Sequence, residues 1–251
     1  MSEYRQQFLF VFLLITLSAT FLRSEHEVTE SDRFVVWNIG QGQWTTLITR
    51  NYCDHFDMGG EYNISRKILG LCGHRQHRLH LSHWDWDHMG LLQNFRRRNI
   101  PICLWNYPLG PASERKLALL AGIPKCETTE PPFQSIFAGD SSVHATSNDT
   151  SQVVQTHKIL IPGDSTNKEE RTWSLKTELA QSRGLILGHH GSRSSTSELL
   201  LEHLPKLKWA VATARKHRYG HPHAEVVARL RAHRIPLIKT EDWGNLMFEI
   251  E

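Results

Sequence analysis

An α/β fold is the architecture this sequence predicts, and three observations carry it. Short strand-type apolar runs recur and close on glycine or proline turns: Phe34–Asn38, Thr45–Arg50, Arg78–Ser82, Ile102–Trp105, Ile159–Pro162, Gly184–Gly188 and Trp209–Ala214. Segments of helical spacing fall between them, at Ser65–Leu71, Leu91–Arg98, Ser113–Ala121, Ser195–Leu204 and Ala224–His233. Polar residues suited to chemistry sit where strand runs stop, which is where an α/β sheet collects its active site.

In chain order, the first strand runs into the turn Ile39-Gly40-Gln41-Gly42. The run ending Phe56-Asp57-Met58-Gly59-Gly60 is a strand leading into a second glycine turn. Arg78–Ser82 delivers a cluster of acids and histidines. Pro131-Pro132 marks a break, and Ser141–Ser151 is a polar loop. Three further strand-then-turn units follow, ending at Gly163-Asp164, His189-His190-Gly191-Ser192 and Gly220-His221-Pro222-His223. Ser195 with Glu198 three residues later matches a capping box. No internal repeat or low-complexity segment is visible.

A chain of 251 residues, 39% hydrophobic and 22% charged, suits one large globular α/β domain and excludes a disordered chain. The formal charge of +3 is too small to imply nucleic acid by itself. Phe8 to Leu22 is almost wholly apolar between Arg5 and Arg23. That is shorter than the roughly 20 residues of a spanning helix and fits the apolar part of a secretory signal. Residues 1–24 are therefore expected to be a signal peptide or a membrane anchor through residues 8–22, and 25–251 the domain. The expected location is exported: periplasmic, secreted, or anchored facing outward. Cys53, Cys72, Cys103 and Cys126 contain no C-x-x-C, which argues against a thiolate zinc knuckle. They are either four buried thiols or two disulfides in one of three connectivities.

The chemistry concentrates in His83-Trp84-Asp85-Trp86-Asp87-His88, four potential metal ligands within six residues. Imidazole nitrogen and carboxylate oxygen are ligands for ions of the zinc class, and this many exceed one tetrahedral site. Two divalent ions, zinc or manganese, are expected, with Asp164 bridging them and one of His189 and His190, together with His221, completing the set. Asp85, Asp87 and Asp164 offset three of four positive charges, leaving a site that can acidify a bound water to a nucleophilic hydroxide. Asp87, Asp164 and His190 are the expected catalytic side chains.

These residues resemble the signature of the metallo-β-lactamase superfamily. They look most like the metallo-β-lactamase-like domain of the ComEC family of DNA-uptake competence proteins. The likeness is carried by Asn38–Gln43, Ser82–Gly90, Gly163-Asp164, His189–Ser192, Arg218–His223 and Lys239–Gly244, in the family's order. It implies a four-layer αββα sandwich with metals at one edge of the β core. It also implies nuclease action, with Asp57 orienting the metal loop. Asn38 and Gln43 depart from the family's pattern, which has aspartates there. Asp164 stands where zinc β-lactamases carry a cysteine, which argues against antibiotic hydrolysis. DNA or another phosphodiester is the expected substrate, with Arg193 and Arg218 meeting phosphate and the helix start near Ser195 offering N–H groups to an oxyanion. The competing readings are a metallohydrolase of another ester, lactone or envelope phosphoester, and a non-catalytic module of the same fold.

Overall fold

The computed structural model describes residues 31–127 and 130–250. The expected signal or anchor at 1–24 lies outside the described residues. Among the described residues no helix is long and apolar enough to cross a membrane.

Twelve strands form two six-stranded sheets. The first contains β1 (Asp32–Val36), β2 (Thr45–Ile48), β3 (Tyr52–Phe56), β4 (Gln76–His80), β5 (Ile102–Leu104) and β12 (Leu246–Ile250), in the order β12-β1-β2-β3-β4-β5. The second contains β6 (Gln134–Phe137), β7 (Val153–Thr156), β8 (Ile159–Ile161), β9 (Gly184–Ile186), β10 (Trp209–Ala212) and β11 (Leu237–Lys239), in the order β11-β10-β9-β8-β7-β6. Strands β3, β4 and β5 are parallel, as are β8, β9, β10 and β11.

The period of two in the strands sorts their side chains into layers. Phe34 and Val36 of β1 face the second sheet, where Leu47 and Phe56 meet Val154, Ile159, Ile161, Ile186 and Val211. Val35, between them, faces the opposite way, into a layer with Ile68, Leu92 and Phe95 from helices. On the far side of the second sheet, Ala210 and Ala212 pack with Trp173, Leu200, Val226 and Leu230. Three apolar layers separate helices, sheet, sheet and helices, the αββα sandwich that the resemblance implies.

Each expected run contains a strand or helix whose ends shift by one or two residues, while β6, β7, β11 and the helix Asn167–Trp173 lie where no run was expected. One end differs for a clear reason. The helix expected from Ser195 spans Glu198–Glu202, and Ser197 is its cap, accepting from the Leu200 N–H at 3.2 Å. Ser195 is buried and donates its hydroxyl to the Gly188 and Ser192 carbonyls, while Thr196 takes a left-handed φ of 51° that helical backbone cannot have. Glu198 is engaged by His233. The capping box therefore does not form.

The cysteines pair as Cys53–Cys72 and Cys103–Cys126, which selects one of the three connectivities. Each ties a strand of the first sheet to the helical segment that follows it: Cys53 on β3 to the end of the helix Ser65–Cys72, and Cys103 on β5 to the segment after the helix Glu114–Leu120. Loops of 19 and 23 residues are closed, and cross-links of that span contribute about 3 kcal/mol each through the unfolded chain. Reduction is expected to lower the urea midpoint by the equivalent of several kcal/mol. An unchanged midpoint after verified reduction would show that the bridges carry no stability.

Candidate metal centre

Strands β3, β4, β8, β9 and β10 end in loops that converge. Those loops carry Asp57, the segment His83–His88, Asp164, the pair His189-His190, and the stretch from Thr213 to His221. Both sheets thus contribute, which is how residues far apart in sequence come to share one edge.

Asp57 is the organising carboxylate. It is 1% exposed and sits at a left-handed φ of 59°, a conformation in which Asp is among the enriched residues. It accepts from Gln43 Nε2 at 2.9 Å, the Ser82 N–H at 2.7 Å, Ser82 Oγ at 2.7 Å and His88 Nδ1 at 2.7 Å. Those bonds fix protons. The one hydroxyl proton of Ser82 goes to Asp57, so Ser82 Oγ accepts from His83 Nδ1, 2.9 Å away. His83 and His88 therefore both carry hydrogen on Nδ1, which leaves Nε2 of each facing outward as the atom available to a metal. A ligating histidine is held in this way when its other nitrogen is hydrogen-bonded.

The outward-facing atoms form two groups around Asp164. His88 Nε2 stands 3.0 Å from Asp164 Oδ1 and 3.2 Å from His190 Nε2, and His190 Nε2 is 3.3 Å from Asp87 Oδ2. On the other side, His83 Nε2 is 3.5 Å from Asp85 Oδ2 and 3.8 Å from Asp164 Oδ2, and His189 Nε2 is 3.6 Å from the same oxygen. Each Asp164 oxygen serves one group. Two sets of ligand atoms lie close enough together to share a cation, and His88 is in both: His83 with His88 and Asp164, and Asp87 with His88 and His190.

Elementary electrostatics asks for positive charge here. His83 Nε2 is buried without a hydrogen-bond partner, 3.5 Å from Asp85 Oδ2 and 3.8 Å from Asp164 Oδ2, and a lone pair held that close to two carboxylates is repelled by them. Burial opposes a charge on His88, yet Asp164 and Asp57 on either side outweigh it and hold its pKa well above the ordinary histidine value. Burial likewise raises Asp164, but His88, His190 and His189 together pull it well below the carboxylate range. The His83 ring beside it is the largest influence bringing Asp85 down to about 2. Burial lowers His189, and it takes His221 to about 4, so both are neutral at pH 7. A cluster of carboxylates and lone pairs with one proton among them fits divalent cations by its chemistry.

The supports are local. His189 and His190 have φ of 46° and 55°, a left-handed turn that costs about 1–2 kcal/mol per residue. Consecutive strand residues would point to opposite faces; this turn brings both rings inward, so both, not one, join the cluster. His190 thereby stands among the ligand atoms rather than apart as a separate catalytic group. Thr213 Oγ1 lies 3.4 Å from His190 Nδ1. The Met58 N–H donates to the His88 carbonyl at 2.7 Å and the Gln43 N–H to the Asp87 carbonyl at 2.9 Å. The loops pack so closely that a Cβ on Gly59 would lie 2.0 Å from the Asp87 carbonyl oxygen.

Solved structures share this architecture. The metallo-β-lactamase fold protein YhfI from Bacillus subtilis superposes with a TM-score of 0.54 at 12% identity, over 86% of this chain and 99% of its own. A diphosphatase from the PhnP family gives 0.53 at 14% identity, over 88% and 98%. The chain has the metallo-β-lactamase fold. No family model matches it. Among curated proteins, Competence protein ComA of Neisseria gonorrhoeae is 26% identical over 226 residues, 85% of this chain. ComE operon protein 3 of Bacillus subtilis is 33% identical over 64 residues, 26% of this chain, and the chain spans 31% of the first relative's length and 8% of the second's.

Within the metallo-β-lactamase fold, the departure at Gln43 finds a physical role, and nothing in the structure explains asparagine in place of aspartate at 38. Gln43 donates to Asp57, a bond that a carboxylate at the same place would replace with repulsion. The Asn38 N–H donates to Asn245 Oδ1 at 3.0 Å, tying the first turn to the closing one. His221 follows a different course from the other histidines. Its ring lies 5.9 Å from that of His189, beside the two ligand groups rather than within one, and it precedes a cis peptide to Pro222. Arg218 lies at the rim, 3.4 Å from Glu61, and Arg193 has an exposed side chain while its carbonyl accepts from Arg229. The oxyanion role expected for the helix start near Ser195 is overturned: the N–H groups of Thr196 and Ser197 are taken by the buried Glu170 carboxylate at 2.6 and 2.7 Å.

Sequence reading missed Ser82 as the relay between Asp57 and two histidines. It also missed Ser147, whose hydroxyl donates to Asp85 at 2.7 Å, and Lys116, 3.6 Å from the same carboxylate. Neither Ser147 nor Lys116 carries a local motif. A third ligand-type group, His55, Cys72 and His77, lies in the helix-facing core. There the Cys72 sulfur is bonded to Cys53, and His55 Nε2 and His77 Nδ1 share a hydrogen bond of 2.9 Å.

Metal uptake is expected to expel a proton. His88 holds one in the metal-free protein because its pKa is raised, and a ligand must be deprotonated. About one proton per chain should therefore leave at pH 7, and affinity should fall as pH falls. Calorimetry in buffers of different ionisation enthalpy measures the release; uptake without any would contradict the assignment of His88.

Proposed function

We propose that this protein is a metal-dependent hydrolase of phosphodiesters, acting on nucleic acid outside the cytoplasm. The observation that carries the reading is the sharing of Asp164 between two groups of lone-pair donors, one with His83, Asp85 and His189, the other with Asp87, His88 and His190. Two divalent ions held there would acidify a water and neutralise charge on attacking and leaving oxygens, the chemistry that phosphoester cleavage requires.

The chain's own residues prepare that chemistry. Asp57, through His88 and Ser82, fixes which imidazole nitrogens face inward. Asp164 spans the two groups, and Asp85 and Asp87 add negative charge. Arg218 at the rim is the cation placed to meet a phosphate oxygen. Beside Pro222 opens a cavity of about 610 Å³ with Lys216, Arg231, Arg234 and Lys239 on its walls and an apolar floor including Leu230 and Ile235. A polyanion gains from such a basic groove; a small neutral ester or lactone does not. One protein of like fold is by name a diphosphatase, and the competence relatives support a substrate such as DNA. Two disulfides fit an oxidising compartment and hence export.

The test is hydrolysis of single- and double-stranded DNA and of a small phosphodiester, with Mn²⁺ or Zn²⁺ supplied. Cleavage is expected to depend on metal and to fall at least about 100-fold in Asp87→Ala, with the circular dichroism spectrum retained. Activity surviving in Asp87→Ala would sink the two-ion reading. Turnover of the small ester without DNA cleavage would retain the hydrolase and replace its substrate.

A further inference from the structure

The two tryptophans of the metal loop have different fates. Trp84 is 5% exposed and packs into the helix-facing core, as a loop anchor should. Trp86 is 38% exposed, and Tyr219, on the loop before His221, is 56% exposed. Both rings border one cavity of about 290 Å³, whose other walls include Asp87, Arg218, Glu61 and Gln41. Asp87 belongs to the ligand cluster, so the cavity opens onto the metal centre. Tyr219 is likewise close to it, its ring centroid 6.1 Å from that of His221.

Cations attend both rings. The Arg115 guanidinium lies 4.8 Å from the Trp86 ring centroid and Lys116 Nζ lies 5.9 Å from it, while the Arg218 guanidinium is 5.5 Å from the Tyr219 ring. Glu61 positions the last of these: it pairs with Arg218 at 3.4 Å and Arg215 at 2.8 Å, and also accepts from the Gln41 N–H at 3.1 Å. Large apolar rings held at a polar rim, each with a basic side chain over one face and the other face left for a base, are a combination that binds nucleic-acid strands. The rings take the faces of bases and the cations take phosphates. In a duplex the base faces are already stacked and out of reach, so rings at the rim meet only unpaired bases.

We propose that Trp86 and Tyr219 form a base-stacking subsite beside the metal centre. The subsite seats an unpaired nucleobase adjoining the phosphodiester presented to the ions, and makes single-stranded nucleic acid the form bound. This rests on the phosphodiesterase reading and deepens it. The cavity is the size of one ring system and not of an oligomer, so one base is held while the rest of the strand lies outside.

Fluorescence anisotropy of the full chain in EDTA, where nothing is cleaved, tests the subsite. The probes are a labelled oligothymidylate and an abasic strand of equal length. Wild type should bind the base-bearing strand roughly 5- to 100-fold more tightly, the range expected for stacking one base on an aromatic ring. Trp86→Ala and Tyr219→Ala should bring that ratio towards one, and Trp86→Phe should keep most of it. Tyr219 lies outside the metal motif, so its variant keeps the test valid if Trp86→Ala misfolds. Equal binding of the two strands by wild type, or an undiminished ratio in Tyr219→Ala, would overturn the proposal. A base preference without hydrolysis under any metal would uphold the subsite while removing the hydrolase reading; hydrolysis with no base preference would do the reverse.

Discussion

The Asp57 carboxylate is the interaction on which the site depends. Buried and ionised, it must be satisfied by donors, and four reach it from three separate segments: Gln43, Ser82 through both its N–H and hydroxyl, and His88. Satisfying Asp57 fixes the hydroxyl proton of Ser82, and that proton fixes the tautomer of His83. His83 Nε2 then faces the carboxylates as a lone pair, and His88 Nε2, which gives its proton to Asp164 in the metal-free protein, becomes one when a cation displaces that proton. The cation-binding character of the site is thus a consequence of one carboxylate two bonds away. Removing a buried acceptor of this kind leaves several donors unpaired at once, each at a cost of about 1–3 kcal/mol.

Much of this was readable in the residues. The strand runs, the separation of helices from sheets and the ligand cluster follow from periodicity and spacing, because burying one face of a strand leaves its signature in the strand itself. What lay beyond reach depends on contacts between distant segments. Nothing near Ser147 announces that its hydroxyl reaches Asp85, and Glu170 shows no local sign that it takes the N–H groups at the start of a helix 27 residues away. The capping box at Ser195 failed for the same reason: buried carbonyls compete for its hydroxyl. The histidine pair left one ligand open because strand geometry points neighbours apart, and only the left-handed turn at 189–190 turns both inward.

The same architecture explains how strain is tolerated at the edge of the sandwich. Three apolar layers and two disulfides hold the strands from which the loops spring, so left-handed residues at Asp57, His189 and His190 can persist. Rigid strands place the groups; short loops with glycine at close approaches bring them within ligand distance. Trp84 secures the loop to the core, while Trp86, two residues on, lies at the rim with Arg115 and Lys116 over its ring.

We propose that this arrangement holds two cations through Asp164. The most direct measurement is the metal content of the folded chain after equilibration with Zn²⁺ or Mn²⁺ and removal of free ions. Two ions per chain in wild type and a clear loss in Asp164→Ala, with the fold retained, is the predicted result. A wild-type chain that retains no metal, or an Asp164→Ala chain that retains as much as wild type, would contradict it.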